Sequence, residues 1–263
     1  MKVRYIDAHC HLQFDQYDAD RDALVEQMRE KGIMGIVVGC DYESSRSAVE
    51  LAEKRDHLYA SVGHHPNHKE LFDEQGIRAL LTNPKVIAIG ECGLDYFRLE
   101  QLTDELKDKQ KELFKKQIAL ATEFDKPLIL HIRPTKNSMD AYQDAIGILK
   151  EAKSRYPNLR GDVHFFVGGR AEAEALIALG FTLSFTAVIT FARDYDKVIC
   201  AIPLMSILSE TDSPYVAPAS RRGQRNDPLA VTLVVAKIAE IRGGDLEEVR
   251  QTLLANAQKM FSL

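Results

Sequence analysis

The stretch Asp7-Ala8-His9-Cys10-His11-Leu12 follows Val3, Tyr5 and Ile6, residues that favour extended backbone, and sets three polar side chains at every second position. Side chains two apart on a strand share a face. His9 and His11 therefore read as a ligand pair at the C-terminal end of a first strand, with Asp7 one step behind as a support. The chain has eight histidines, so the pair alone leaves two packed imidazoles as an equal reading. The fold turns on whether other strands end in the same way.

Working outward, apolar strand runs recur at 34–39, 57–63, 86–91, 127–131, 161–166, 181–185 and 206–212, which with the first makes eight. Between them lie stretches with helical spacing. The first, 19–31, carries Leu24, Val25 and Met28, with Gly32 where a helix would stop. Others fall at 43–55, 69–81, 104–124, 138–154 and 171–179, with a less regular one near 190–200 and two more at 227–241 and 245–260. Strands this apolar, alternating with helices, are parallel and covered on both faces. The pattern predicts an α/β protein, a single (β/α)8 TIM barrel over residues 1–263 with an additional C-terminal helix.

An open doubly wound sheet is the rival. Six polar residues argue against it, because they end five different strands: His9 and His11, Glu91, His131, His164 and Asp212. In an open sheet distant strands lie ~20 Å apart, too far for ligands of shared ions. A barrel brings the first and eighth strands together and points all six groups at one mouth. Each has a bland alternative as a satisfied polar residue, although an unpaired Glu91 after Val86-Ile87-Ala88-Ile89-Gly90 would be costly. Four histidines and two carboxylates can hold two divalent ions if one carboxylate bridges.

Composition narrows the classes. A chain of 263 residues with 45% hydrophobic and 28% charged residues is that of a globular protein, and no segment is apolar for long enough to cross a membrane. A strand within three residues of Met1 leaves no room for a secretory leader, so a cytoplasmic location is expected. Cys10, Cys40, Cys92 and Cys200 form no Cys-x-x-Cys and read as small buried hydrophobes. A net charge of −5 argues against a broad nucleic-acid-coating surface but leaves room for a local basic mouth. Three groups could supply it. Gly63-His64-His65-Pro66 could aim an imidazole at a substrate or be a surface turn; Arg133 shares the face of His131; and 217–228 carries Arg221, Arg222 and Arg225 against Asp227, either an anion site or a solvated loop.

Together these residues resemble the TatD family of metal-dependent deoxyribonucleases, within the amidohydrolase-like barrels. The resemblance runs through Asp7-Ala8-His9-Cys10-His11-Leu12, Gly63-His64-His65-Pro66, Ile89-Gly90-Glu91-Cys92-Gly93-Leu94-Asp95-Tyr96, His131-Ile132-Arg133, Glu210-Thr211-Asp212-Ser213-Pro214-Tyr215 and Asn256-Ala257-Gln258-Lys259-Met260-Phe261. It implies that His9, His11, Glu91 and Asp212 bind one ion and Glu91, His131 and His164 a second, the metals being zinc, manganese or magnesium. It also implies hydrolysis of DNA phosphodiesters, trimming from single-stranded or frayed 3′ ends. In that reading Asp212 and Glu91 are catalytic, and His65, Arg133 and Arg222 hold phosphate; Asp7 and Glu210 would support the ligands. Two departures bear on substrate preference: His164-Phe165-Phe166-Val167-Gly168 stands for the usual His-Cys-Phe-Ser/Thr-Gly, and Asn226-Asp227-Pro228 for Asn-Glu-Pro. An enzyme on an amide, a lactone or an aminoacyl-tRNA ester, and a metal-binding protein without turnover, are the competing expectations. No obligate protein partner is expected.

Overall fold

A computed structural model describes residues 1–97 and 103–263 of the chain. Eight parallel strands form one sheet in sequence order: β1 (Tyr5–Cys10), β2 (Ile33–Val38), β3 (Leu58–Val62), β4 (Val86–Asp95), β5 (Leu128–Arg133), β6 (Gly161–His164), β7 (Phe181–Phe185) and β8 (Ile207–Ser209). The segment after β8 returns to β1. There the His11 N–H donates to the Ser213 carbonyl at 2.8 Å and the Asp212 N–H to the His9 carbonyl at 2.9 Å, curling the sheet into a nearly closed barrel.

Among the described residues, seven α-helices occupy the connections between successive strands: α1 (Arg21–Lys31), α2 (Tyr42–Glu53), α3 (Glu74–Leu81), α4 (Asp104–Glu123), α5 (Asp140–Arg155), α6 (Arg170–Ala178) and α7 (Asp196–Ala201). Helices α8 (Val231–Arg242) and α9 (Leu246–Phe261) follow β8. This is the barrel with an additional C-terminal helix that the alternation predicts. Boundaries shift where capping chemistry intervenes. The 69–81 stretch is helical only from Glu74, because the Asp73 carboxylate caps it by accepting the Gly76 N–H at 2.9 Å. Among the described residues no helix is long and apolar enough to cross a membrane.

Alternation divides the core. Ile6 and Ala8, Met34, Ile36 and Val38, Ile87, Ile129 and Leu208 point into the barrel, where Ala257, Met260 and Phe261 of α9 join them. Cys10, Val37, Leu58, Leu128 and Leu183 point outward against helix residues such as Met28, Phe114 and Leu176.

Three register shifts break this alternation, one between β3 and β4 and two that bear on the mouth. β1 advances from Asp7 to Cys10 while β2 advances only from Gly35 to Val37, and β4 advances from Ile89 to Cys92 while β5 moves from Leu128 to Leu130. Each extra residue turns two successive positions inward, Ala8-His9 and Gly90-Glu91, and so re-aims a ligand-type side chain at the mouth. Gly90 is required there: its φ is 153°, and a Cβ would stand 2.4 Å from the Ile129 carbonyl oxygen.

Candidate metal centre

At the C-terminal ends of the strands lies a cavity of about 610 Å³, lined by His11, His65, Glu91, His131, Arg133, His164 and Asp212 among others. His9 is fully buried at its floor. Its Nε2 lies 3.1 Å from His11 Nε2, 3.6 Å from Glu91 Oε2 and 4.0 Å from Asp212 Oδ1. His11 Nε2 is in turn 3.9 Å from Glu91 Oε2 and 3.6 Å from Asp212 Oδ1. Four donors tetrahedrally arranged at ~2.1 Å from one ion stand roughly 3.4 Å apart. His9, His11 and Asp212 form one group of candidate ligands, and Glu91 Oε2 stands 3.6 Å and 3.9 Å from the two imidazoles of that group.

The other oxygen of Glu91 faces a different group. Oε1 is 2.7 Å from His131 Nδ1, 3.7 Å from His65 Nε2 and 3.8 Å from His164 Nε2. Here the shortest separation is a hydrogen bond, closer than the ~3 Å or more between two ligands of one ion. His131 groups with His65 and Asp95, while His164 groups with His9 and Glu91.

Neighbours orient the imidazoles. His11 Nδ1 is tied to the Val38 carbonyl at 2.8 Å, His164 Nδ1 to Glu210 Oε2 at 3.0 Å and His131 Nε2 to Asp95 Oδ2 at 3.0 Å, so each ring turns its other nitrogen toward Glu91 or Asp212. His9 differs. Its buried Nδ1 has no hydrogen-bond partner among the described residues, and its ring stacks on His164 with centroids 3.6 Å apart. Asp7 does not reach that ring, because the β1 bulge puts it on the opposite face. It accepts instead from the Thr211 N–H (2.8 Å), the Thr211 hydroxyl (2.6 Å) and the His9 backbone N–H (3.3 Å), stitching β1 to the segment after β8.

Electrostatics set the protonation states. Burial, joined for His9 by the stacked His164, pulls His9 and His164 below the ordinary histidine value, leaving neutral imidazoles with a lone pair to donate. Burial alone would raise Glu91, but His65, His131 and His9 outweigh it and hold the carboxylate well below its usual range. His11 does the same for Asp212 against burial. Burial raises Glu210 to about 8. His11 and His131 go the other way: against burial, Cys40, Asp212 and Glu91 hold His11 well above the ordinary histidine value, and Asp95 and Glu91 raise His131 to about 9. A divalent ion takes neutral imidazoles, so binding at these two would displace a proton.

The expected substrate residues divide. His65 and Arg133 line the cavity; Arg222 lies outside its lining, exposed, with its guanidinium 4.4 Å from the Phe191 ring centroid. Within the same loop Arg221 pairs with Asp227 and Arg225 with Asp20, so the basic segment is largely neutralised by its own ion pairs. Two residues escaped the sequence reading. Asp95 follows Glu91 at the alternating positions 91, 93 and 95, and Cys40 follows Ile36 and Val38 in the same way; extending each strand's alternation finds both. Cys40 Sγ stands 3.6 Å from Glu91 Oε2, and burial pushes its thiol up to about 11.

Comparison with known proteins identifies the family. The sequence profile of the family described as TatD related DNase matches residues 6–262. The chain is 36% identical over 263 residues to YabD of Bacillus subtilis strain 168, named as an uncharacterized metal-dependent hydrolase, covering 98% of each. It is 32% identical over 270 residues to the 3′-5′ ssDNA/RNA exonuclease TatD of Erwinia amylovora, covering 98% of this chain and 99% of that one. The crystal structure of YjjV, a TatD homologue from Escherichia coli K12, matches with a TM-score of 0.88 at 31% identity, covering 100% of both chains. A family match across nearly the whole chain, on a barrel whose mouth gathers imidazoles and carboxylates, makes this protein a metal-dependent hydrolase of the TatD-related DNase family.

Proposed function

We propose that the protein hydrolyses phosphodiester bonds in DNA, removing nucleotides from single-stranded 3′ ends, with His9, His11, Glu91 and Asp212 holding one divalent ion and Glu91, His131 and His164 a second. The observation that carries this reading is Glu91: its two oxygens face two different groups of imidazoles, 3.6 Å from His9 on one side and 2.7 Å from His131 on the other. Bound there, zinc, manganese or magnesium ions would acidify a water and offset the charge of phosphate oxygens.

The chain's own groups do the rest. Asp212, beside His11 and open to the cavity, accepts the proton of the attacking water. Arg133 takes a non-bridging phosphate oxygen, since among the described residues no carboxylate pairs with its guanidinium, and His65 faces the same space. Water adds to phosphorus, the bond to the 3′ oxygen of the shortened strand breaks, and a mononucleotide departs. A guanidinium with no carboxylate partner among the described residues favours this anionic substrate over neutral amides and lactones. The exonuclease name of the Erwinia relative supports the polarity.

Metal content and cleavage of end-labelled single-stranded DNA, measured before and after chelation, test the reading, with RNA, an amide panel and an aminoacyl ester alongside. Stepwise loss of 3′ nucleotides should vanish on chelation and return with added metal. Metal-loaded protein that shortens no strand would remove the proposal.

A further inference from the structure

Phe165 and Phe166 are adjacent, but only one of them belongs to the core. Phe166 is 1% exposed and packs against Tyr142 and Phe185, at centroid distances of 5.4 Å and 6.2 Å. Phe165 is half-buried and lines the cavity immediately after His164. Its φ is +44°, a left-handed conformation that a bulky residue adopts at a cost. The backbone is pinned there by the Phe165 N–H donating to Glu210 Oε1 at 2.7 Å and the Phe166 N–H donating to the Ser184 carbonyl at 3.1 Å. Core packing does not account for the half-buried ring.

What the ring meets is Arg133. The guanidinium lies 5.1 Å from the Phe165 centroid and 5.8 Å from that of Phe97. A cation–π contact engages the charge of a guanidinium without using up its N–H donors, which stay available to an anion. An aromatic ring and a cation with no carboxylate partner among the described residues thus stand side by side in one cavity, the pair of features that binds the base and the phosphate of an unpaired nucleotide. We infer that Phe165 is a stacking platform for the base next to the scissile phosphate, so that the enzyme senses the presence of a base rather than its identity. The inference rests on the proposed hydrolysis of nucleic acid strands. It adds to it the residue that selects an unpaired nucleotide.

The test uses metal-loaded protein and 5′-labelled single strands whose last or next-to-last nucleotide is intact or abasic. For the parent, losing the base at one of these positions lowers kcat/KM about tenfold, the scale of one stacked base, while exchanging one base for another changes it less than about threefold. Phe165→Leu keeps the apolar bulk and loses the aromatic face, so its abasic penalty falls to about twofold or less; Phe165→Trp keeps the penalty. An equal penalty in the parent and Phe165→Leu overturns the platform, as does a parent with no abasic penalty, which needs no variant to fold. Strands shortened with either result leave the proposed function standing. If the metal-loaded parent shortens neither DNA nor RNA, the proposed function falls and the platform falls with it.

Discussion

The two sides of Glu91 differ in how far they are built. Around Oε2 the donors of His9, His11 and Asp212 stand 3.1–4.0 Å from one another or from that oxygen, spaced as around an ion. Around Oε1 the His131 ring is bonded on both edges, to Glu91 at 2.7 Å and to Asp95 at 3.0 Å. At the two sites proposed above, an ion entering the first side would meet spaced donors, and one entering the second would first have to part a hydrogen bond. Two sites sharing one carboxylate therefore need not share an affinity, and the first should fill at lower metal concentration.

The largest expected effect comes from the first side. Asp212→Asn should lower kcat by ~10³-fold while leaving the melting temperature within a few degrees, because the barrel's interior is built by other residues. Glu91→Ala should cost similar activity but also occupancy of both sides, read by metal analysis. Loss of one ion from Glu91→Ala together with two from Asp212→Ala would assign the bridge to the wrong residue.

A smaller effect separates substrate from metal. Arg133→Ala should reduce kcat/KM on DNA by ~10²-fold with metal content unchanged, since its contact is to phosphate and strengthens as charge develops. Equal activity of variant and parent at all substrate concentrations would take Arg133 out of the mechanism. Asp95→Asn sharpens the comparison itself. It should alter binding of the second ion by ~10-fold and leave the first unchanged, as titration of the chelated protein would show. Equal shifts at both would mean that the two sides are not independent.

The smallest effect is that of salt. With two or three phosphates neutralised on a single strand, log affinity of Asp212→Asn protein should fall with log salt at a slope of roughly −1.5 to −2. A slope steeper than about −5 would point to an extended groove instead of an end site.

Sequence made the barrel legible because five of the eight apolar runs end in residues too polar for their neighbours, and only closure brings such ends together. It gave the ligand types at the mouth for the same reason. It misplaced Asp7 because alternation fails at a bulge, and a bulge leaves no mark in the residues Asp7 to Cys10 themselves. Asp95 was missed because the strand was ended at Glu91, whereas β4 pairs through to Asp95 opposite Arg133. The loop 217–228 misled through composition alone. Arg225 finds its carboxylate in Asp20, 205 residues away, and no local charge pattern reveals such a partner.

The stitch between Asp7 and Thr211 also bears on the order in which the molecule forms. Its partners are 204 residues apart, and the donors of the first side come from both ends of that span. Joining segments so distant costs chain entropy that local pairs do not, and folds dominated by such contacts form slowly. The four donors have no common centre until that seam has shut. If that closure limits folding, a divalent ion bound at the proposed site acts as a latch and not as a template: added metal should slow unfolding and leave the folding rate where it was, as kinetics with and without metal would show.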